Sequence, residues 1–382
     1  MESLGENRSE SNIDQPAQGL DQRKARWTST AWVRRHTRRA QRGSGMTESG
    51  LVMRLREITK DPIPLPGGGK TAERHRKLME IARESVSLAR LAEAHWDAVA
   101  ILAEAGRQAE PDALYGVWAS EIPGQSLTLE SGEGSHNLTG SKKFCSGAGL
   151  IEHALVTIGN PKQLLIDIDL QNHRSALQFD YSDWKTDAFR ETLTATVSFK
   201  NVRITKREII GTEGWYLNRL GFWHGACGPA ACWAGGAEGL VDYASLQHRD
   251  DPHTMAHLGA MTASTWALRR YLEAAGDEID EVADTPTKAR KLALTVRHLV
   301  EQACSDILRR FPRAYGPHPL AMNEEVSKRY QEVDLYLRQS HAERDLESLG
   351  RASKMENKRK MPAGEYSLLP PSVRNFNERS SK

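Results

Sequence analysis

The spacing of apolar residues changes twice along this chain, and that double change limits what it can fold into. Over residues 71–106, Leu78, Ile81, Leu88, Leu91, Val99 and Leu102 recur mostly at helical steps, with Ala, Arg and Glu filling the gaps. Gly67-Gly68-Gly69 marks a stop before this stretch, and Thr71 is the expected N-cap. The stretch is too long for one average helix, so one bend or break is expected. Over residues 114–210, short β-branched or aromatic runs (115–118, 127–129, 142–145, 154–158, 164–168, 194–199 and 203–205) alternate with turn residues such as Gly132, Gly134, Gly140, Gly147 and Asn160-Pro161. After Gly214, apolar stripes at helical spacing return in four stretches, 217–247, 257–275, 288–310 and 324–349. The pattern predicts an α+β multidomain chain. A short N-terminal helical domain spans 46–112, a middle antiparallel β-sandwich or barrel 113–212, and a C-terminal four-helix bundle 213–350.

Composition narrows the class. Of 382 residues 39% are hydrophobic and 27% charged, which rules out collagen-like, low-complexity and wholly disordered chains. No apolar run approaches the 18 or so residues that a membrane-spanning helix needs. The four cysteines include no Cys-x-x-Cys, so neither a disulfide scaffold nor a zinc site is implied, and a reducing cytoplasm is the expected location. Residues 1–45 hold nine Lys/Arg and five acids, leaving 43 basic against 45 acidic residues elsewhere. The body therefore carries no basic surface for nucleic acid. Both ends, 1–45 and 351–382, read as basic and disordered, and Met46 opens the first stretch of globular character. No apolar core follows Arg34-Arg35 and Arg38-Arg39, so they do not make an export signal.

The familiar short motifs are absent: there is no Gly-x-Gly-x-x-Gly after a strand, no Walker loop, no Gly-x-Ser-x-Gly and no His-Glu-x-x-His. His248, His253 and His257 straddle an Asp250-Asp251-Pro252 loop and do not suit a metal. Three longer segments carry more: 117–126 (Val-Trp-Ala-Ser-Glu-Ile-Pro-Gly-Gln-Ser), 138–149 (Leu-Thr-Gly-Ser-Lys-Lys-Phe-Cys-Ser-Gly-Ala-Gly), and 189–199 running on through Val202 to Ile209-Ile210-Gly211. In order and spacing they resemble the middle β-domain of the acyl-CoA dehydrogenase superfamily. There a strand ending in Thr/Ser-Glu precedes a Gly-x-Lys-aromatic-x-Thr/Ser strand, and a Val-x-Phe-x-x-Val strand leads into an Ile-Leu-Gly turn. The resemblance runs over about residues 70–350, into the helical bundle.

What the resemblance implies is a divergent flavoprotein that binds FAD. Ser120 and Ser146, at the ends of neighbouring strands, would donate to the isoalloxazine edge, and Phe144 would lie beside the ring. Trp118, two residues before Ser120 on the same strand face, would shape the pocket, and backbone N–H groups at Gly147 could approach closely. Ser126 falls near the family's acyl-thioester contact. Arg249 is what remains of the Arg-x-x-Phe-Gly stretch that binds the adenosine half of FAD. The family's Glu-Gly-Thr turn, which carries its catalytic base, is missing. The matching region, 333–345, offers His341 and Glu343, of which His341 could pair with Asp345 one helical turn on. His224 suits a site in which imidazole, not carboxylate, faces the flavin. The favoured reaction is dehydrogenation of the CH–CH group of an acyl thioester, on CoA or a carrier protein, with an electron-transfer partner to reoxidise the flavin. The alternatives are a flavin-dependent monooxygenase on the same fold and a non-catalytic relative that serves as a binding or assembly module. The Ala/Gly-rich stretch 225–237 allows close helix approach, and family members associate through such helices, so a homodimer or homotetramer is expected.

Overall fold

The computed structural model describes residues 50–122, 127–132, 134–159 and 163–360. The expected extension at 1–45, Ser126 and residues 361–382 lie outside them. The chain opens with α1 (Gly50–Thr59), α2 (Thr71–Glu84) and α3 (Val86–Glu104). The helix expected over 71–106 breaks at Ser85, which is extended (φ −152°, ψ 124°) and accepts a hydrogen bond from the Leu88 N–H at 3.2 Å, so that it caps α3. Thr71 is not the N-cap. It is the first residue of α2, and Asp280, from a later helix, accepts from its N–H at 2.7 Å and its hydroxyl at 2.6 Å. A carboxylate there meets the positive end of the helix dipole.

The strands β1 (Tyr115–Trp118), β2 (Thr128–Ser131), β3 (His136–Cys145), β4 (His153–Ile158), β5 (Leu164–Asp169), β6 (Leu177–Asp180), β7 (Ala195–Ile204) and β8 (Ile209–Ile210) form two four-stranded sheets. Their orders are β1-β4-β5-β8 and β2-β3-β7-β6. The pairing is antiparallel except for β1 beside β4, which run parallel with Trp118 opposite Val156. β1 and β3 thus belong to different sheets, where the sequence reading made the ends at Ser120 and Ser146 neighbours. The β3–β7 register shifts between Lys142 and Cys145, and in that irregularity Phe144 takes φ +60°, which turns a large ring outward.

The helical half comprises α4 (Trp215–Asn218), α5 (Leu220–Gly225), α6 (Cys227–Ser245), α7 (Pro252–Glu281), α8 (Pro286–Tyr315), α9 (His318–Met322), α10 (Glu324–Leu337) and α11 (Glu343–Lys360). Asp251, Thr285 and Asn323 cap α7, α8 and α10, and proline opens α7 and α8 as the first-turn rule favours. The expected helix over 324–349 is interrupted at 338–342, and α11 runs ten residues into the tail read as disordered. α6 is the central element and packs against α2, α3, α7, α8 and α10. Its glycines allow this: a Cβ at Gly235 would collide with the Met79 carbonyl of α2, and one at Gly236 would stand 2.7 Å from Val333 Cγ2 of α10. The close approach read from the sequence therefore serves the chain's own helices. No helix among the described residues is long and apolar enough to cross a membrane.

Candidate functional site

Where the ends of β1 and β3 meet α3 and α10, polar groups converge on Ser146. The Trp118 indole N–H donates to the Ser146 carbonyl at 3.0 Å. Gly116 makes room for it, since a Cβ there would stand 2.6 Å from Ile151 Cδ1 and 3.3 Å from the indole nitrogen. Gly147 (φ +80°) donates its N–H to Thr192 O at 2.8 Å. The Ser146 hydroxyl shares a hydrogen bond with the buried Thr194 hydroxyl at 2.9 Å and accepts from Arg90 Nη2 at 3.1 Å and Nε at 3.3 Å. The Arg90 guanidinium lies 4.6 Å from the Phe189 ring centroid and 5.4 Å from that of Tyr336. Burial lowers the pKa of Arg90. Phe144 stands beside this group, 51% exposed, edge-on to Trp184 with centroids 6.3 Å apart.

Ser120 is not part of this convergence. The β1 ladder ends at Trp118, so the strand pleat does not carry on to put Ser120 on the Trp118 face: Trp118 is buried and Ser120 exposed. Ser120 lines a separate narrow cleft with Glu121, Leu127, Ser141 and Lys142. At its base the buried Lys142 Nζ donates to Glu121 Oε1 and Thr157 O, both at 2.8 Å, and to Thr157 Oγ1 at 3.0 Å.

From Arg90 a polar stripe continues along the inner face of α3 through Glu93 and Asp97, at i, i+3 and i+7. Each acid lies against a glycine of the facing helices. A Cβ at Gly228 would stand 2.7 Å from Glu93 Oε1, and one at Gly225 would stand 3.1 Å from Asp97 Oδ1. Farther along, Glu104 pairs with Arg219 Nη1 at 2.8 Å and accepts from Gly221 N–H at 3.1 Å. Burial first, and the Asp97 charge second, push Glu93 up to about 8, and burial raises Asp97 as well. Around them stand Arg74, which donates to Pro64 O at 3.1 Å, and Arg297, which donates to Ala226 O at 2.7 Å and Gln339 O at 2.9 Å. Arg297 also lies 4.7 Å above the Trp233 ring, whose fully buried N–H has no acceptor among the described residues. Glu332 of α10 accepts from the Ser87 hydroxyl at 2.6 Å and the Phe189 N–H at 3.2 Å, and burial raises its pKa too.

The remaining sequence-nominated residues lie outside this cluster of contacts. Among the described residues, the His224 ring hydrogen-bonds Ala283 O at 2.7 Å and fills the space that Gly67 leaves open. Arg249 donates to Ala314 O at 3.0 Å and pairs with Asp251 at 3.1 Å, tying the loop before α7 to the end of α8. His341 is 58% exposed and faces Asp345 at 3.5 Å, the expected pairing. Glu343 is exposed in the first turn of α11. Sequence reasoning passed over Arg90, Glu93 and Asp97, although charges at i, i+3 and i+7 on an otherwise apolar helix were a visible signal.

No protein-family model matches the chain, and neither does any curated protein. Solved structures do resemble it. KijD3 in complex with FMN and dTDP-3-amino-2,3,6-trideoxy-4-keto-3-methyl-D-glucose superposes with a TM-score of 0.66 at 14% identity, over 80% of this chain and 91% of that one. The dibenzothiophene monooxygenase TdsC from Paenibacillus sp. A11-2, also solved with FMN bound, gives 0.64 at 17% identity, over 78% and 93%. The methanesulfinate monooxygenase MsuC from Pseudomonas fluorescens gives 0.61 at 18% identity, over 78% and 85%. At such identities the likeness is one of fold.

Proposed function

We propose that this chain, which has the acyl-CoA dehydrogenase fold, is a flavin-dependent oxidoreductase of the monooxygenase kind, using FMN at the junction around Ser146. A flavin needs hydrogen-bond donors along its polar edge and a flat apolar wall. Ser146, Thr194 and Arg90 can supply the first, and exposed Phe144 with half-buried Trp184 beside it the second. When bound, the flavin would supply the electron transfer. FMN fits better than FAD because Arg249, the residue matched to the adenosine half, donates to Ala314 O and Asp251. The solved relatives with FMN bound agree with that choice.

One observation ranks oxygenation above acyl-thioester dehydrogenation. Abstraction of an α-proton requires an ionised carboxylate in a dry site. The Glu-Gly-Thr turn that carries such a base in the resembled family is missing from this chain, and Glu343, nominated in its place, stands exposed in the first turn of α11. The reading is tested by supplying reduced FMN from a reductase and measuring oxygen uptake with a small heteroaromatic or sulfinate substrate. Uptake coupled to an oxygenated product is expected. Anaerobic bleaching of bound flavin by an acyl-CoA would favour the dehydrogenase instead.

A further inference from the structure

Glu93 and Asp97 lie one turn apart on α3, Glu93 buried and Asp97 half-buried, and neither carboxyl finds a hydrogen bond or an ion pair among the described residues. Isolated enclosed carboxyls are costly unless they are neutral or have a task. The groups facing Glu93 come from every element around it: Arg74 from α2, Arg90 and Asp97 from α3, Tyr216 from α4, Cys232 from α6, Arg297 from α8 and Tyr336 from α10. Glu93 is 9% exposed, so it is neither solvated nor sealed. A second buried group nearby is also unpartnered: the Trp233 N–H, beneath Arg297, lacks an acceptor among the described residues. At one end the α3 stripe touches Ser146 through Arg90. At the other it reaches the surface at the pair of Glu104 and Arg219.

We propose that Glu93 is the proton donor of this site. The proton it holds jointly with Asp97 passes to a ligand bound beside Ser146, at the Arg90 end of the α3 stripe, and is replaced from solvent at the Glu104 end of α3. The donor role rests on the flavin reading; the shared proton does not. The charges of Arg74, Arg297 and Arg90 favour ionised Glu93, and those of Arg219 and Arg74 favour ionised Asp97, both against the effect of burial. Gly225 and Gly228 hold the carboxyls against bare backbone, where no side chain competes for the proton.

The test uses the whole chain. Infrared difference spectra across pH, without flavin, should show a protonated-carboxyl band that disappears with a midpoint near 8. The band should be lost in Glu93→Gln and move to lower pH in Asp97→Asn. With FMN and reduced-flavin supply, Glu93→Gln should bind flavin as the wild type does. Its turnover should fall by about 100-fold or more, with the alkaline limb of the pH profile gone. Glu93→Asp should keep a titrating band and recover part of the turnover, which separates proton donation from packing. Identical spectra in wild type and Glu93→Gln overturn the proposal, as does unchanged turnover with flavin bound. A wild-type chain that takes up no flavin overturns the flavin reading and, with it, the donor role.

Discussion

Arg90 Nη2 lies 3.1 Å from Ser146 Oγ, and that contact joins α3 to the turn that ends β3. A half-buried cation whose hydrogen bonds among the described residues go to a single neutral hydroxyl is under-served, since a guanidinium carries five donor hydrogens. An anionic or strongly accepting ligand edge would complete its partners. Arg90→Met should therefore weaken FMN binding by roughly 10- to 100-fold, the equivalent of losing one charged hydrogen bond of about 1.5–3 kcal/mol. Fluorescence titration with FMN measures this. The thermal midpoint should hold or rise, because a desolvated cation has been removed.

Two glycines in helices should respond oppositely to the same added methyl. A Cβ at Gly235 would run into the Met79 backbone, with the Met79 carbonyl carbon 2.8 Å away, and backbone cannot swing aside. Gly235→Ala should cost about 3 kcal/mol or more, or prevent folding. Gly259 in α7 has nothing within 4 Å of its would-be Cβ, so Gly259→Ala should stabilise by about 0.5–1 kcal/mol. Thermal or denaturant melts of the two variants decide the point.

The Ala/Gly-rich helix α6 also marks how far the sequence could be read. The order of helices, strands and helices, the central Ala/Gly helix and the break in 71–106 are all carried by local spacing and composition. The parallel pairing of β1 with β4 is not, because its partner is set by the packing of distant segments. Nor is the interruption at 338–342, where Ala342 takes φ +45° with no glycine or proline to announce it. Trp118, Phe144, Ser146 and Gly147 were nominated through the resemblance of the strand segments to the acyl-CoA dehydrogenase β-domain, and the structure brings them to one junction. Arg90, Glu93 and Asp97 fall in the gaps between the apolar positions that define the helix and carry no motif of their own. Only the facing glycines, Gly225 at the end of α5 and Gly228 in α6, make the face of those three residues an interior one.

Stability should depend on pH in a way that singles out Glu93. Its pKa is raised to about 8 in the folded chain, so its contribution is complete below the ordinary value of 4.5 and is lost as pH rises through about 8. His75, buried and bonded to Leu272 O at 2.9 Å, is depressed to about 4. Its contribution is present above the ordinary 6.5 and is lost as pH falls through about 4. Between pH 6.5 and 8 the wild type should therefore lose roughly 1–2 kcal/mol that Glu93→Gln retains. Melts at those two pH values measure the difference, and parallel curves would refute the shift.

Lys142 offers a check on the β layer that is independent of the flavin site. Its Nζ is buried among Glu121 Oε1, Thr157 O and Thr157 Oγ1. Lys142→Met removes the donor from three acceptors and should destabilise by about 2–3 kcal/mol, with Glu121 left facing Thr157. Urea unfolding gives the value, and an unchanged midpoint would mean that water replaces the ammonium at no cost.

The account as a whole is tested most directly by adding FMN to the purified chain and following the flavin's visible spectrum and fluorescence. Saturable binding of one FMN per chain, with the paired absorption bands of oxidised flavin perturbed and with weaker binding in Arg90→Met, is the predicted result. A colourless chain that leaves the spectra of both FMN and FAD unaltered would contradict it.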